Sequence, residues 1–378
     1  MYTEQEAKEL VILAGKKLLE SGLIARTWGN ISARISKTQF VITPSGKGYE
    51  TLLPDEIVVV NIADCSYEAD VKPSSEKGVH AEAYRLRSDV NFVIHTHQIN
   101  ASAVSVLGKD IYNITQYGEN YKDLVGDVIP CAEYGLSATK KLKKAVAKQI
   151  QNHPDSKAIM MKHHGALCMG SDFDNAFAVS AVLEELCDTI YQSLCLTRTV
   201  TILNHTTYAS SERKGNKIDF VYDKEETSFD LEQGTQDLTS EAHIHATLYQ
   251  KQSINSIIHI QTPYILAASQ NGKTLRPYLD DQAQIAGVSV KCITNKPGMD
   301  KKIVKALKNR NAVLIKNEGA ICTGISSEDT EAVCMVLEKG CKTALLAKYG
   351  KKARPVNRWD VVKERYFYVK SYSKLKNS

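Results

Sequence analysis

The chain has 378 residues, 43% hydrophobic and 24% charged, with a formal net charge of +5. That length exceeds one ordinary core and predicts two domains of a soluble globular protein, and so weak a positive balance gives nucleic acid no footing as a partner. Nine cysteines form no C-x-x-C pair, and Cys168, Cys187, Cys195 and Cys334 lie inside apolar runs, so they read as reduced core residues of a cytoplasmic protein. The segment Met1–Glu6 has neither a basic nor an apolar leader character, and no stretch approaches the roughly 20 apolar residues that span a bilayer. Neither a signal peptide nor a membrane partner is expected.

In chain order, an amphipathic helix is predicted from Glu4 to Ser21, with Gly22 at its C-terminal cap. Strands follow at 30–34, 39–42 and 56–60, and Ser75 is placed to cap a helix running to about Leu86. Further strands are expected at 91–96, 127–130 and 158–162, and long helices at 139–152 and 175–194. Helices interleaved with short strands predict α/β layers around an antiparallel or mixed sheet.

The chain then repeats itself. Ser75-Glu76-x-x-x-His80-Ala81-x-x-Tyr84 returns as Ser240-Glu241-x-x-x-His245-Ala246-x-x-Tyr249. Ala158-x-x-x-Lys162-x-x-Gly165-Ala166-x-Cys168-x-Gly170 returns as Ala312-x-x-x-Lys316-x-x-Gly319-Ala320-x-Cys322-x-Gly324, and the helix after it repeats as well. Two copies about 155 to 165 residues apart are whole domains, not a solenoid. The boundary falls in the polar stretch 204–216, giving domains 1–206 and 207–378.

The chemistry sits in the first copy. His95 and His97, at i and i+2 of a strand, face one side of a sheet. A third imidazole from His163-His164 would complete the three-ligand set of a catalytic zinc site with one open position. Gly29-Asn30, the turn Thr43-Pro44-Ser45-Gly46-Lys47-Gly48 and Pro73-Ser74-Ser75 are segments whose backbone N–H groups can approach a phosphate. Glu76 beside them is either a first-turn acid favoured by the helix dipole or a general base next to a metal.

Together, Gly29–Ser32, Ile42–Gly46, Pro73–Glu76, His95–His97 and His163–Gly165 closely resemble the class II aldolase/adducin family over residues 5 to 200. The resemblance implies two tandem α/β/α domains, each a mostly antiparallel sheet flanked by helices. It implies that His95, His97 and His164 hold Zn2+ or another divalent metal, with His163 turned the other way if the segment is a strand. Asn30, Ser45, Gly46, Ser74 and Ser75 would bind the phosphate of a sugar-phosphate substrate, probed first as a ketose 1-phosphate. Glu76 would be the acid/base of a carbon–carbon lyase releasing dihydroxyacetone phosphate and an aldehyde through a metal-stabilised enediolate. The family's epimerases carry Asp at that position. The family's tyrosine acid comes from a neighbouring subunit; Tyr117 is matched to it, with Tyr112 and the tail tyrosines Tyr366, Tyr368 and Tyr372 as alternatives.

In the second copy Glu241 and His259 persist, but Gln261 and Glu318 replace two imidazoles and the glycine-rich phosphate loops have no clear counterpart between Tyr208 and Leu238. A degenerate, structural domain is therefore expected. The alternatives are a pentulose-phosphate 4-epimerase or a dehydratase of the same family, or a non-catalytic scaffold as in the adducin branch. The resemblance also implies a homodimer whose four domains form a pseudo-fourfold ring.

Overall fold

The computed structural model describes residues 1–24, 28–195, 207–233, 238–251, 254–350 and 353–372. They divide into two compact units, built mainly from the residues up to Cys195 and from those between Thr207 and Lys370. The first unit comprises α1 (Glu4–Glu20), β1 (Gly29–Arg34), β2 (Gln39–Ile42), β3 (Val58–Asn61), α2 (Lys77–Leu86), β4 (Phe92–Thr96) and α3 (Ile99–Ser105). It continues with α4 (Tyr121–Val125), β5 (Cys131–Ala132), α5 (Lys140–Asn152), β6 (Ala158–Met161), β7 (Gly165–Gly170) and α6 (Phe173–Cys195). Its sheet has seven strands in the order β3-β2-β1-β4-β7-β6-β5, antiparallel except for the β5/β6 pair.

Alternation along the strands sorts the sheet into two faces. Phe40, Val58, Val60, Val93, Ile159 and Leu167 form one core with Val79 and Tyr84 of α2 and Leu142, Val146 and Ile150 of α5. Helices α1, α3 and α6 pack against the strands through other residues, giving the expected three layers. Each fully buried aliphatic side chain of this core contributes about 1.5–3 kcal/mol.

The second unit repeats the design with β8 (Thr207–Lys214), β9 (Lys217–Tyr222), β10 (Glu225–Asp230), α7 (Ser240–Lys251), β11 (Ser256–Ile260), α8 (Pro263–Gln270) and β12 (Lys291–Ile293). Then come α9 (Met299–Leu307), β13 (Ala312–Ile315), β14 (Gly319–Gly324), α10 (Ser327–Tyr349) and α11 (Arg358–Phe367). Its strand order, β10-β9-β8-β11-β14-β13-β12, copies the first sheet place for place. No helix among the described residues is long and apolar enough to cross a membrane.

Three local expectations are corrected. Ser75 does not cap α2: Glu76 occupies the cap position, while Ser74 Oγ accepts from the Glu76 N–H at 3.2 Å and curls the chain before the helix starts. The strand expected at 127–130 begins only at Cys131, because Pro130 has no N–H and Ile129 makes an isolated bridge to Ile111. His163 is not on a strand but in the turn between β6 and β7, with φ of 64°.

Two glycines set how closely the strands beside β4 approach it. A Cβ on Gly165 would lie 2.2 Å from the Thr96 carbonyl oxygen and 3.3 Å from His95 Cε1. A Cβ on Gly29, at φ +116°, would lie 2.6 Å from the His95 carbonyl oxygen. Gly165→Ala should therefore force β7 off β4 and destabilise the first unit by about 1–3 kcal/mol or more. An unchanged denaturant midpoint in that variant would contradict this packing.

Candidate active site

The site forms where the C-terminal end of β4 meets the N-terminus of α2. Val93 belongs to the core face shared with α2, so the pleat carries His95 to the same side, where the first residues of α2 lie. Strand β4 ends at Thr96, and His97 follows directly. His164 comes from the turn that delivers the chain into β7, paired with β4 through Ala166–Thr96. Glu76, at the cap position of α2 but with no capping bond from its side chain, turns its carboxylate onto the imidazoles.

The four donor atoms converge. His95 Nε2 lies 3.0 Å from His97 Nε2 and 3.2 Å from His164 Nε2. Glu76 places Oε2 at 2.9 Å from His95 Nε2 and Oε1 at 3.1 Å from His164 Nε2. All four donors sit within 4.8 Å of one another, and only His97 is more than marginally exposed. His95 Nδ1 faces the Ala166 carbonyl oxygen at 2.8 Å, and since a carbonyl only accepts, Nδ1 carries the proton. In the neutral ring Nε2 is then a bare lone pair aimed at two other ring nitrogens and a carboxylate.

Such an array repels itself unless a cation stands in its middle. Two nitrogens bound to zinc at about 2.0–2.1 Å in tetrahedral geometry are about 3.3 Å apart, close to the spacing found here. The donor set therefore fits a divalent metal. Burial pushes the Glu76 carboxyl up, but His164 and His95 outweigh it and hold the group well below the usual carboxylate range.

The segments proposed for phosphate come together beside this cluster. Asn30 pairs with His95 across the β1/β4 ladder, so the two side chains share a face as cross-strand neighbours. Pro44 bridges Pro73, Ser45 N–H donates to the Lys72 carbonyl at 2.9 Å, and Ser45 Oγ donates to the Pro73 carbonyl at 2.9 Å. Ser74 N–H donates to the Thr43 carbonyl at 3.0 Å, while Thr43 in turn bonds Ile31 next to Asn30. The Ser45–Gly46 turn, with Gly46 at φ +76°, and the Ser74–Ser75 turn are thereby stitched side by side.

The tyrosines are more scattered. Tyr117 ends a single 3-10 turn at Ile114–Gln116 and is half-buried. Tyr112 is exposed, and its hydroxyl donates to Asp110 at 3.1 Å. Tyr366 lies edge-on to Phe367, and Tyr368 lies under the Arg365 guanidinium. The side chain of Tyr372 lies outside the described residues. His163 stacks edge-on against Tyr134 at 5.4 Å, away from the ligand set.

Sequence reasoning missed the residues behind Asn30. Asn30 Oδ1 meets His80 Nε2 at 2.5 Å, His80 Nδ1 meets Ser32 Oγ at 2.6 Å, and Ser32 Oγ meets Tyr84 OH at 2.7 Å. Burial pushes the His80 imidazolium down to about 3, so the ring is neutral. The signal was available: His80 and Tyr84 are two fixed positions of the motif that recurs as His245 and Tyr249.

In the second unit the corresponding site is dismantled. His259 is buried on β11, and Glu318 is half-exposed and accepts from Asn295 Nδ2 at 2.7 Å. Among the described residues, only Glu76, His95, His97 and His164 form a group able to hold a metal ion. Ala209 stands opposite His259, where Asn30 stands opposite His95. The β8/β11 register also shifts between His259 and Ile260. Where residues 43–57 join β2 to β3 and include the Ser45–Gly46 turn, β9 and β10 are joined by Asp223-Lys224 alone. Both of those residues have positive φ, as a two-residue hairpin turn requires.

Residues 9–191 and 211–345 match the class II aldolase and adducin N-terminal domain family. A 5-deoxy-D-ribulose 1-phosphate aldolase from Bacillus thuringiensis serovar kurstaki is 31% identical over 194 residues, covering 50% of this chain and 86% of that protein. A 5-methylthioribulose-1-phosphate/5-deoxyribulose-1-phosphate aldolase from Escherichia coli O45:K1 is 35% identical over 182 residues, covering 48% and 81%. The L-fuculose phosphate aldolase of Escherichia coli K12 is 33% identical over 187 residues, again covering 48% and 81%. One matched segment lies in each unit, and the chain thus belongs to the class II aldolase and adducin N-terminal domain family, in a tandemly duplicated form.

Proposed function

We propose that this protein is a metal-dependent aldolase that cleaves a ketose 1-phosphate into dihydroxyacetone phosphate and an aldehyde, with zinc or a similar divalent ion in the first unit. The observation that carries this reading is the convergence of three imidazoles and a carboxylate beside the Ser45–Gly46 and Ser74–Ser75 turns. Three relatives whose names specify phosphorylated-sugar aldolases support it.

His95, His97 and His164 would hold the ion, and the chemistry it supplies when bound is Lewis-acid polarisation of the substrate's oxygens. Asn30, Ser45, Gly46, Ser74 and Ser75 anchor the phosphate and fix which carbon comes under Glu76. Glu76 takes and returns the proton at the carbon next to the carbonyl as the carbon–carbon bond breaks or forms. Tyr117, contributed from a neighbouring subunit of a homodimer, serves the aldehyde oxygen. The second unit keeps the fold without the full donor set or the Ser45–Gly46 span, which suits a structural role.

Purified, zinc-loaded protein incubated with a panel of ketose 1-phosphates and 5-phosphates should release dihydroxyacetone phosphate from at least one 1-phosphate. Epimerised 5-phosphate without carbon–carbon cleavage would replace this reading with the epimerase alternative. Light scattering should give about twice the chain mass, and a fully active monomer would remove the cross-subunit tyrosine.

A further inference from the structure

From the buried chain behind Asn30 we infer that His80 is a positioning residue, which holds the Asn30 carboxamide with its oxygen inward so that the N–H2 group is presented to the substrate phosphate. The inference rests on the proposed phosphate role of Asn30 and deepens it.

Directionality follows from the placement of Asn30 Oδ1 on His80 together with the donor inventory. Asn30 Oδ1 can only accept, so His80 Nε2 donates across the 2.5 Å contact. A neutral imidazole with its proton on Nε2 must accept at Nδ1, so the Ser32 hydroxyl donates to it at 2.6 Å. Ser32 has then spent its one proton, and Tyr84 donates to Ser32 at 2.7 Å. The chain runs one way, from Tyr84 through Ser32 and His80 to Asn30, and His80 is fully buried. In a planar carboxamide the nitrogen lies across from the oxygen, so pinning Oδ1 turns Nδ2 away from His80. The opposite flip would offer an anion a carbonyl oxygen, which repels it.

The second unit supplies an internal comparison. Ser211 Oγ meets His245 Nδ1 at 2.7 Å and Tyr249 OH at 2.8 Å, so the contacts are retained, although the Tyr249 hydroxyl here donates to the Ser211 carbonyl at 2.9 Å. Its terminus is gone: Ala209 replaces the amide, and His245 Nε2 is buried with no hydrogen-bond partner among the described residues. Serine, histidine and tyrosine persist there without an amide to orient. The first unit alone couples them to an outward-facing donor.

The test is phosphate binding measured calorimetrically on the zinc-loaded full chain, with inorganic phosphate as probe. Asn30→Ala should weaken phosphate by about 10-fold or more, as loss of a bond to a charged group does. His80→Phe should weaken it to a similar degree with metal content unchanged. The Asn30→Ala/His80→Phe pair should be no weaker than Asn30→Ala alone, because His80 acts only through that amide. A structural role would instead add its loss to that of Asn30→Ala. His245→Phe should leave phosphate affinity unchanged. If His80→Phe fails to fold, Ser32→Ala offers a milder break in the same chain, expected to lose affinity in the same direction. Histidine 15N spectra of the unaltered protein should place the His80 proton on Nε2. A proton on Nδ1, or normal phosphate affinity in both His80→Phe and Ser32→Ala, would overturn the inference while leaving the aldolase reading intact. Unchanged affinity in Asn30→Ala would remove the phosphate role of Asn30 and the inference together.

Discussion

Glu76→Gln is expected to keep its metal and its phosphate affinity while turnover falls about 10² to 10⁴-fold. Glutamine matches glutamate in size, so the curl made by Ser74 and the start of α2 at Lys77 survive the change. What is lost is a carboxylate able to accept a proton, its oxygens 2.9 and 3.1 Å from the ring nitrogens of His95 and His164. Steady-state kinetics together with metal analysis separates the two possible outcomes. Loss of metal along with activity would recast Glu76 as chiefly a ligand, and near-normal turnover would take it out of the mechanism. Glu241→Gln, its counterpart in the second unit, should leave turnover unchanged.

The second large effect concerns the imidazoles. The protein should bind one divalent ion per chain, and His95→Ala/His97→Ala should bind none and show only background activity. With two donors gone, Glu76 and His164 remain, a set that holds zinc poorly. Because the ion binds only the folded site, chelation should lower the melting temperature of the unaltered protein, by an amount that grows with affinity. The double variant should not respond to chelation. Two tightly held ions per chain, or one that persists in the double variant, would refute this assignment.

Much of the fold was legible because periodicity and repetition reinforce one another. Strand β2 at Gln39–Ile42 and helix α5 at Lys140–Asn152 fall where the sequence pattern places them. Thr139 Oγ1 accepts from the Leu142 N–H and caps α5, a cap not among those expected from the sequence pattern. The failures are equally specific. Ser75 looked like a cap because serine before a helix usually is one, but at this N-terminus Glu76 faces the histidines and Ser74 makes the turn. Strand β5 was shifted because a proline inside an apolar run moves the ladder to the first residue with a free N–H.

The site was legible in its donors and not in their support. Histidines two apart on a strand announce a shared face, whereas a buried polar chain such as Tyr84–Ser32–His80–Asn30 joins β1 to α2 across 50 residues of sequence between Asn30 and His80. Nothing in local spacing pairs those elements; only the recurrence of the same histidine and tyrosine in the second copy hinted at a common duty.

The Asp223-Lys224 turn bears on what evolution can still do with the second unit. Exchanging Gln261 and Glu318 for histidine would take two amino-acid substitutions and would restore three imidazoles on the homologous positions. No sequence of point mutations, however, lengthens a two-residue turn into the span that carries Ser45 and Gly46. Regaining an anion cradle there requires an insertion, in frame, at one hairpin. The loss of the turn is therefore a ratchet: once the span is missing, single-base drift at the former ligand positions cannot be selected for catalysis, and those positions are free to serve the fold alone.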